Sequence, residues 1–142
     1  GDARKFAAYM YSRCDRPERE LFYDILSERA LKVGVTVDAL GACGGLKNGE
    51  AKDANDRRVR RYSHGWHDDA VEIYKDYAFV IAFENVKREG YFTEKVVNPL
   101  LAGSVPVYWG WDGVNEVFDG VLMCGDDLEE CADRVIDLWL GG

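Results

Sequence analysis

What the chain has little of narrows its role before any motif is read. Positive charge is short: 26 acidic residues face 18 basic ones, for a net charge of −8. That balance excludes a broad basic surface for nucleic acid or for an anionic membrane, although a few local cations still suffice for a small anion. No apolar run approaches the ~20 residues needed to cross a bilayer, and the first residues carry no signal-peptide pattern. Any anchor or secretion signal is therefore expected outside this chain. Histidine is confined to His64 and His67, and no CxxC pair occurs among Cys14, Cys43, Cys124 and Cys131. A zinc site has little support on that spacing, and no metal or other cofactor is expected. Cys14 and Cys43 each follow a candidate strand and could meet at one sheet edge; two disulfides, one or none all fit. Internal repeats, low-complexity tracts and an interdomain linker are also missing. The 142 residues suffice for one domain with its own core and barely for more.

What is present alternates strand with helix. FAAYMY at 6–11 reads as a buried strand. In the helix that follows, Asp15 with Glu18 forms a candidate capping box, and Pro17 suits the first turn. Leu21, Phe22, Ile25 and Leu26 recur at helical spacing and predict one apolar face. VTVDAL at 35–40 is a second strand, and GACGGLKNGE a glycine-rich turn. Residues 47–69 are polar and irregular, with a basic run, RRVRR, at 57–61; the expectation there is a surface loop, with a short helix near 68–75. YAFVIAF at 77–83 is apolar throughout, as a strand covered on both faces should be. A helix over Thr93 to Leu101, a strand at 105–109, a short helix at 113–118 and a strand at 121–124 come next. The last helix, Asp127 to Leu140, carries Leu128, Ala132, Val135, Ile136 and Trp139 on one face. Short connections between such elements predict an α/β domain with a doubly wound, mostly parallel sheet.

Ligands of such sheets settle beyond the carboxyl ends of the strands. Two loops leaving that edge carry unusual chemistry, SRCDRPER after the first strand and ENVKREGYFTEK after the third. Each opens a helix, whose first N–H groups and dipole suit an anion. Yet Arg19 and Lys95 sit in those first turns, where a cation is misplaced unless an anion joins it. Taken alone, Thr93 merely caps a helix, Glu84 and Asn85 make a strand-end turn, and Arg19 pairs with Glu20, Asp15 or Glu18. Together at one edge they point to a nucleoside-diphosphate site.

FENVKREGYFTEK, with AGSVPVYWG after it, resembles the donor-binding signature of the α1,3/α1,4-fucosyltransferases, glycosyltransferase family 10. YSRCDRPERELFYDIL and VDALGACG resemble upstream segments of the same family, so the likeness covers residues 6–124. It implies a Rossmann-like C-terminal domain, one half of a GT-B enzyme, that binds GDP-fucose or GDP. Arg19 and Lys95 would then neutralise the diphosphate and Glu94 would hold the ribose hydroxyls. Asn85 and Tyr91 would line the donor pocket, with Glu84 near the fucose or orienting its neighbours. The family uses no DxD metal motif, and none occurs here: Asp68–Asp69 reads as a solvated helix start and Asp126–Asp127 as a cap. Two departures stand out. Arg13 replaces the family's Asn, and Pro99 inside the helix after TEK should kink or shorten it.

The resemblance also implies what lies elsewhere. The general base of an inverting transfer and most of the glycan acceptor site would belong to an N-terminal domain absent from this chain. The chain alone should bind donor and transfer fucose poorly or not at all. A eukaryotic source would place the enzyme in the Golgi lumen, which permits a Cys14–Cys43 disulfide. The main alternative is a catalytically silent nucleotide-sugar-binding module of the same fold. A receiver-like regulatory domain is the remaining one, and the strand-end Asp38 lacks the companion acids it would want.

Overall fold

The computed structural model describes residues 3–48 and 67–141. The basic run at 57–61 and most of the expected 47–69 loop lie outside those residues. The elements in order are β1 (Lys5–Tyr9), α1 (Pro17–Lys32), β2 (Val37–Ala39), α2 (Gly45–Asn48), α3 (His67–Tyr74), β3 (Tyr77–Phe83), α4 (Glu94–Leu101), β4 (Val105–Trp109), α5 (Val114–Val117), β5 (Leu122–Met123) and α6 (Leu128–Gly141). The strands form one sheet in the order β2-β1-β3-β4-β5, and every neighbouring pair is parallel. The doubly wound arrangement expected from the alternation is therefore what the chain adopts.

Side chains of β3 explain why the sheet needs helices on both faces. All seven of its residues are buried. Phe79, Ile81 and Phe83 point into a core shared with Phe22, Leu26 and Ala30 of α1 and Cys131, Val135 and Ile136 of α6. Val80 meets Tyr74 of α3, and Ala82 meets Val96 of α4 and Tyr108 of β4. The period of two thus divides one strand between two cores. Each large apolar side chain so buried contributes about 1.5–3 kcal/mol.

Several boundaries depart from the sequence reading. The capping box does not form: the N-cap of α1 is Arg16, without a side-chain cap, and Asp15 instead faces Arg13 and Arg16. Pro17 already occupies the first turn, where its missing N–H leaves less to cap. Leu21 is 42% exposed, so the apolar face of α1 is narrower than expected. Within the glycine-rich turn, Gly45–Asn48 coils into a helical turn, because α1 supplies its cap. Glu20 accepts from Gly45 N–H at 2.6 Å, and Asp24 accepts from Leu46 and Lys47 N–H at 2.8 and 3.1 Å. Gly45 has φ +91°, and a Cβ there would collide with the Asp24 carboxylate. α4 is only eight residues long and ends two residues past Pro99, in line with the expected shortening. At the last helix, Asp127 caps α6 by accepting from Glu130 N–H, as its position suggested.

Two disulfides close the fold, Cys14–Cys43 and Cys124–Cys131. The first ties the loop after β1 to the loop after β2. The Asp38 carboxylate accepts from Tyr77 Oη at 2.7 Å and Thr36 Oγ1 at 3.1 Å. Such engagement fits a structural aspartate and not a receiver-like one.

Candidate donor site at the carboxyl edge

The ends of β1 and β3 are pinned together by Tyr11. Its hydroxyl accepts from Phe83 N–H at 2.9 Å and lies within donating distance of Ile81 O and Phe83 O, at 3.0 and 3.3 Å. Burial pushes its phenol pKa up, and the nearby Arg19 only partly offsets this. The Arg19 guanidinium stacks on the Tyr11 ring at 3.8 Å. Sequence reasoning missed Tyr11, whose role depends on a partner 70 residues away.

Arg19 is only 2% exposed. One nitrogen donates to Arg13 O at 2.6 Å, the other to Asn85 Oδ1 at 3.0 Å and weakly to Phe83 O at 3.5 Å. None of the expected partners, Glu20, Asp15 or Glu18, holds it. Every acceptor is neutral, and among the described residues no carboxylate forms an ion pair with it. A buried cation with no carboxylate in direct contact is expensive to maintain. The contact at position 13 runs through the backbone carbonyl and so does not depend on the side chain there. The Arg13 side chain turns outward to Asp15 at 3.3 Å.

Across the edge, Glu84 follows β3 and is 1% exposed. It accepts from Thr93 N–H at 2.9 Å, from Thr93 Oγ1 at 2.7 Å and from Tyr108 Oη at 3.1 Å. Burial, reinforced by Glu84, raises the Tyr108 pKa. Gly110 is required behind this cluster, since a Cβ would stand 2.6 Å from Tyr108 Oη and 2.7 Å from Glu84 Cγ. Thr93, so held, caps α4 by accepting from Lys95 N–H at 3.2 Å. The chain Tyr108–Glu84–Thr93 thereby fixes the start of α4, where Glu94 and Lys95 project. The Lys95 side chain is 21% exposed, and its ammonium lies 4.0 Å from a Glu94 oxygen.

Of the six residues named from sequence, Arg19 and Asn85 touch, and Glu84 acts through Thr93 on the helix bearing Glu94 and Lys95. Tyr91 stands apart from these contacts, half-buried in the loop, with Arg88 over its ring at 4.7 Å. The loop carries a further cation that sequence reasoning overlooked. Lys87 lies over the Trp109 ring at 5.5 Å and reaches Asp112 and Asp126 at 3.5 and 3.4 Å. A cavity of about 310 Å³ opens there, lined by Lys87, Arg88, Glu89, Trp111 and Asp112. Among the described residues, no helix is long and apolar enough to cross a membrane.

Fold and edge together define a class: an open parallel α/β domain with a buried guanidinium and a capped helix start at the carboxyl edge of its sheet. The family model for the C-terminal part of glycosyltransferase family 10 (fucosyltransferase) matches residues 2–119. The chain belongs to that family. It is 39% identical over 106 residues to a protein of Acanthamoeba polyphaga mimivirus that is itself named only as a candidate fucosyltransferase. That match covers 75% of this chain and 16% of the viral protein. Human GDP-fucose protein O-fucosyltransferase 3 is 32% identical over 108 residues, covering 76% of this chain and 20% of the human protein. The chain thus spans about a sixth to a fifth of the length of these relatives. A crystal structure of an α1,3-fucosyltransferase with GDP-fucose superposes with a TM-score of 0.70 at 24% identity, over 95% of this chain and 35% of that one. That likeness carries the fold, the Rossmann-like parallel α/β arrangement that the resemblance implied.

Proposed function

We propose that this chain is the donor-binding domain of an inverting fucosyltransferase, which moves fucose from GDP-fucose to a glycan hydroxyl in α1,3 linkage. The observation that carries the reading is Arg19, a buried guanidinium held only by neutral acceptors at the edge where α4 begins. Breaking the bond between sugar and diphosphate builds negative charge on phosphate oxygens, and prepositioned cations stabilise it. Arg19 and Lys95 supply those cations, and Glu94 accepts from the ribose hydroxyls. Asn85, oriented by Arg19, and Tyr91 line the donor pocket. Glu84 serves by position, since its oxygens already hold Thr93 and Tyr108. The charge on the leaving group is met by side chains, and no divalent metal enters the transfer step.

Deprotonating the acceptor hydroxyl needs a general base, which this reading assigns to residues outside the chain, along with most acceptor contacts. Alone, the chain binds nucleotide and transfers fucose poorly or not at all. In a eukaryotic source the setting is the Golgi lumen, an oxidising compartment in which two disulfides are at home.

Thermal melting tests the reading. GDP-fucose or GDP at about 100 times its dissociation constant should add about 2.7 kcal/mol, a rise of roughly 5–10 °C. UDP-galactose and ADP should leave the melting unchanged, and Lys95→Ala should abolish the response to guanine nucleotides. Equal stabilisation by all four ligands, or by none, would overturn the proposal.

A further inference from the structure

The cavity between the loops after β3 and β4 differs from the Arg19 site in its charge balance. Two cations, Lys87 and Arg88, and two acids, Glu89 and Asp112, line it together with Trp111. Lys87 Nζ stands 3.5 Å from Asp112 and 3.4 Å from Asp126 and lies over the Trp109 ring, so its charge is already met. Arg19, by contrast, is held by neutral acceptors. Apart from those charges the lining is an aromatic surface framed by hydrogen-bond donors and acceptors. At about 310 Å³ the cavity sits at the small end of the ~300–1,000 Å³ of ligand pockets, room for one ring and not for a chain of them. Trp111 is firmly placed there. It is half-buried and packs against the small core of Ala82, Val96, Tyr108 and Val114. Gly113 permits that packing, since a Cβ there would stand 2.6 Å from Cζ2 and 2.7 Å from Cε2 of the indole. The Asp112 side chain is 81% exposed, so a ligand reaches it without opening the fold. Arg88 joins the cavity to the donor loop through its contact with the Tyr91 ring.

We propose that this cavity is a subsite for one neutral pyranose. Such a ring presents an apolar C–H face, which suits an indole, and a rim of hydroxyls, each both donor and acceptor. Trp111 takes the face, Asp112 and Glu89 accept from hydroxyls, and Lys87 and Arg88 donate to them. A phosphate would be repelled by the acids and an ammonium by the cations, so the balanced lining favours a ligand without charge. The identity of the ring rests on the fucosyl-transfer reading, which offers two sources: the fucose of the donor, or a sugar of the glycan acceptor. With either source, part of the sugar recognition belongs to this domain, in its loops after β3 and β4.

The test observes the whole isotope-labelled chain by NMR, with the Trp111 indole N–H assigned by its disappearance in Trp111→Phe. Methyl α-L-fucopyranoside and the methyl β-glycosides of galactose and N-acetylglucosamine are titrated separately, with sorbitol as an acyclic control. At least one pyranoside should shift the indole resonance, and sorbitol should not. By saturation transfer to the sugar, Trp111→Ala should abolish binding, Trp111→Phe should retain most of it, and Asp112→Ala should weaken it about tenfold. Dispersed amide resonances report that each variant is folded; should Trp111→Ala lose them, Asp112→Ala carries the test. An indole response to GDP-fucose but not to GDP assigns the ring to the donor. A response to a β-glycoside that persists with GDP-fucose bound assigns it to the acceptor. The nucleotide reading fails separately: a chain that answers a pyranoside at Trp111 but shows no response to GDP keeps the subsite and loses the donor site. Silence of the indole toward every pyranoside and GDP-fucose, an equal response to sorbitol, or sugar binding indifferent to Trp111→Ala and Asp112→Ala would each overturn the proposal.

Discussion

Replacing Arg19 by methionine separates what the fold needs from what the site needs. The substitution removes two charged hydrogen bonds, to Arg13 O and Asn85 Oδ1, worth about 1.5–3 kcal/mol each. It also removes the stacking on Tyr11, worth up to about 2 kcal/mol. Against these losses stands the cost of keeping a guanidinium dehydrated with only neutral groups in contact, itself several kcal/mol. The terms nearly cancel, so Arg19→Met should unfold in urea within about 2 kcal/mol of the parent. On the proposed reading GDP binding should behave differently, because a buried cation set to face phosphate has no substitute. Its loss should weaken GDP by roughly 30-fold to a few thousand-fold in calorimetry. Arg19→Lys sharpens the test. It keeps the buried charge but not the planar fork that serves both acceptors, so it should be less stable than Arg19→Met. A methionine variant that binds GDP within threefold of the parent, or a lysine variant more stable than the methionine one, would refute the reasoning.

Two further outcomes follow from the buried phenols. Burial raises the pKa of Tyr9, Tyr11, Tyr74 and Tyr108, so the folded state favours their protonated forms. Their contribution is complete below the ordinary value of 10 and fades as pH rises above it. At about 1.4 kcal/mol per group per pH unit, four groups cost up to about 5.5 kcal/mol for each unit beyond. Phenolate absorbance should therefore develop in two phases, the second coincident with loss of dichroism; one smooth phase in a folded chain would contradict it. Tyr108→Phe removes one hydrogen bond to the Glu84 carboxylate and should cost about 1.5–3 kcal/mol in urea unfolding. In a Glu84→Gln background the cost should shrink, and equal costs in both backgrounds would show that the two groups are not coupled.

The elements were legible because their signals are local. The unbroken apolar run of β3, the spaced apolar residues of α6 and Thr93 before its helix each announce themselves within a few residues. The site was legible as a set of loops at one edge but not as a set of contacts. Taken alone, Arg19 suggested an acid on its own helix as partner, whereas the Asn85 it meets lies 66 residues away. The sequence leaves Glu84 either near the fucose or orienting its neighbours, and only the fold shows Thr93 and Tyr108 as neighbours that it holds. The turn at Gly45 hid a helix because its caps, Glu20 and Asp24, belong to another element. Asp15 misled for the opposite reason: a sound local pattern lost to the proline beside it.

The position of β1 within the sheet bears on how the protein emerges from the ribosome. β1 is synthesised before both of its neighbours, β2 on one side and β3 on the other. Its register with β3 pairs Ala7 with Phe79 and Ala8 with Val80. At 5–20 residues per second, the apolar segment from Phe6 to Tyr11 waits on the order of 4–14 s for that partner strand to be made. Meanwhile only the short β2 can shield one of its edges. The strand that ends at the candidate site is thus the one most exposed to holding chaperones or to wrong pairing during translation. Codon changes that alter the pace between β1 and β3 would act on yield before they act on activity.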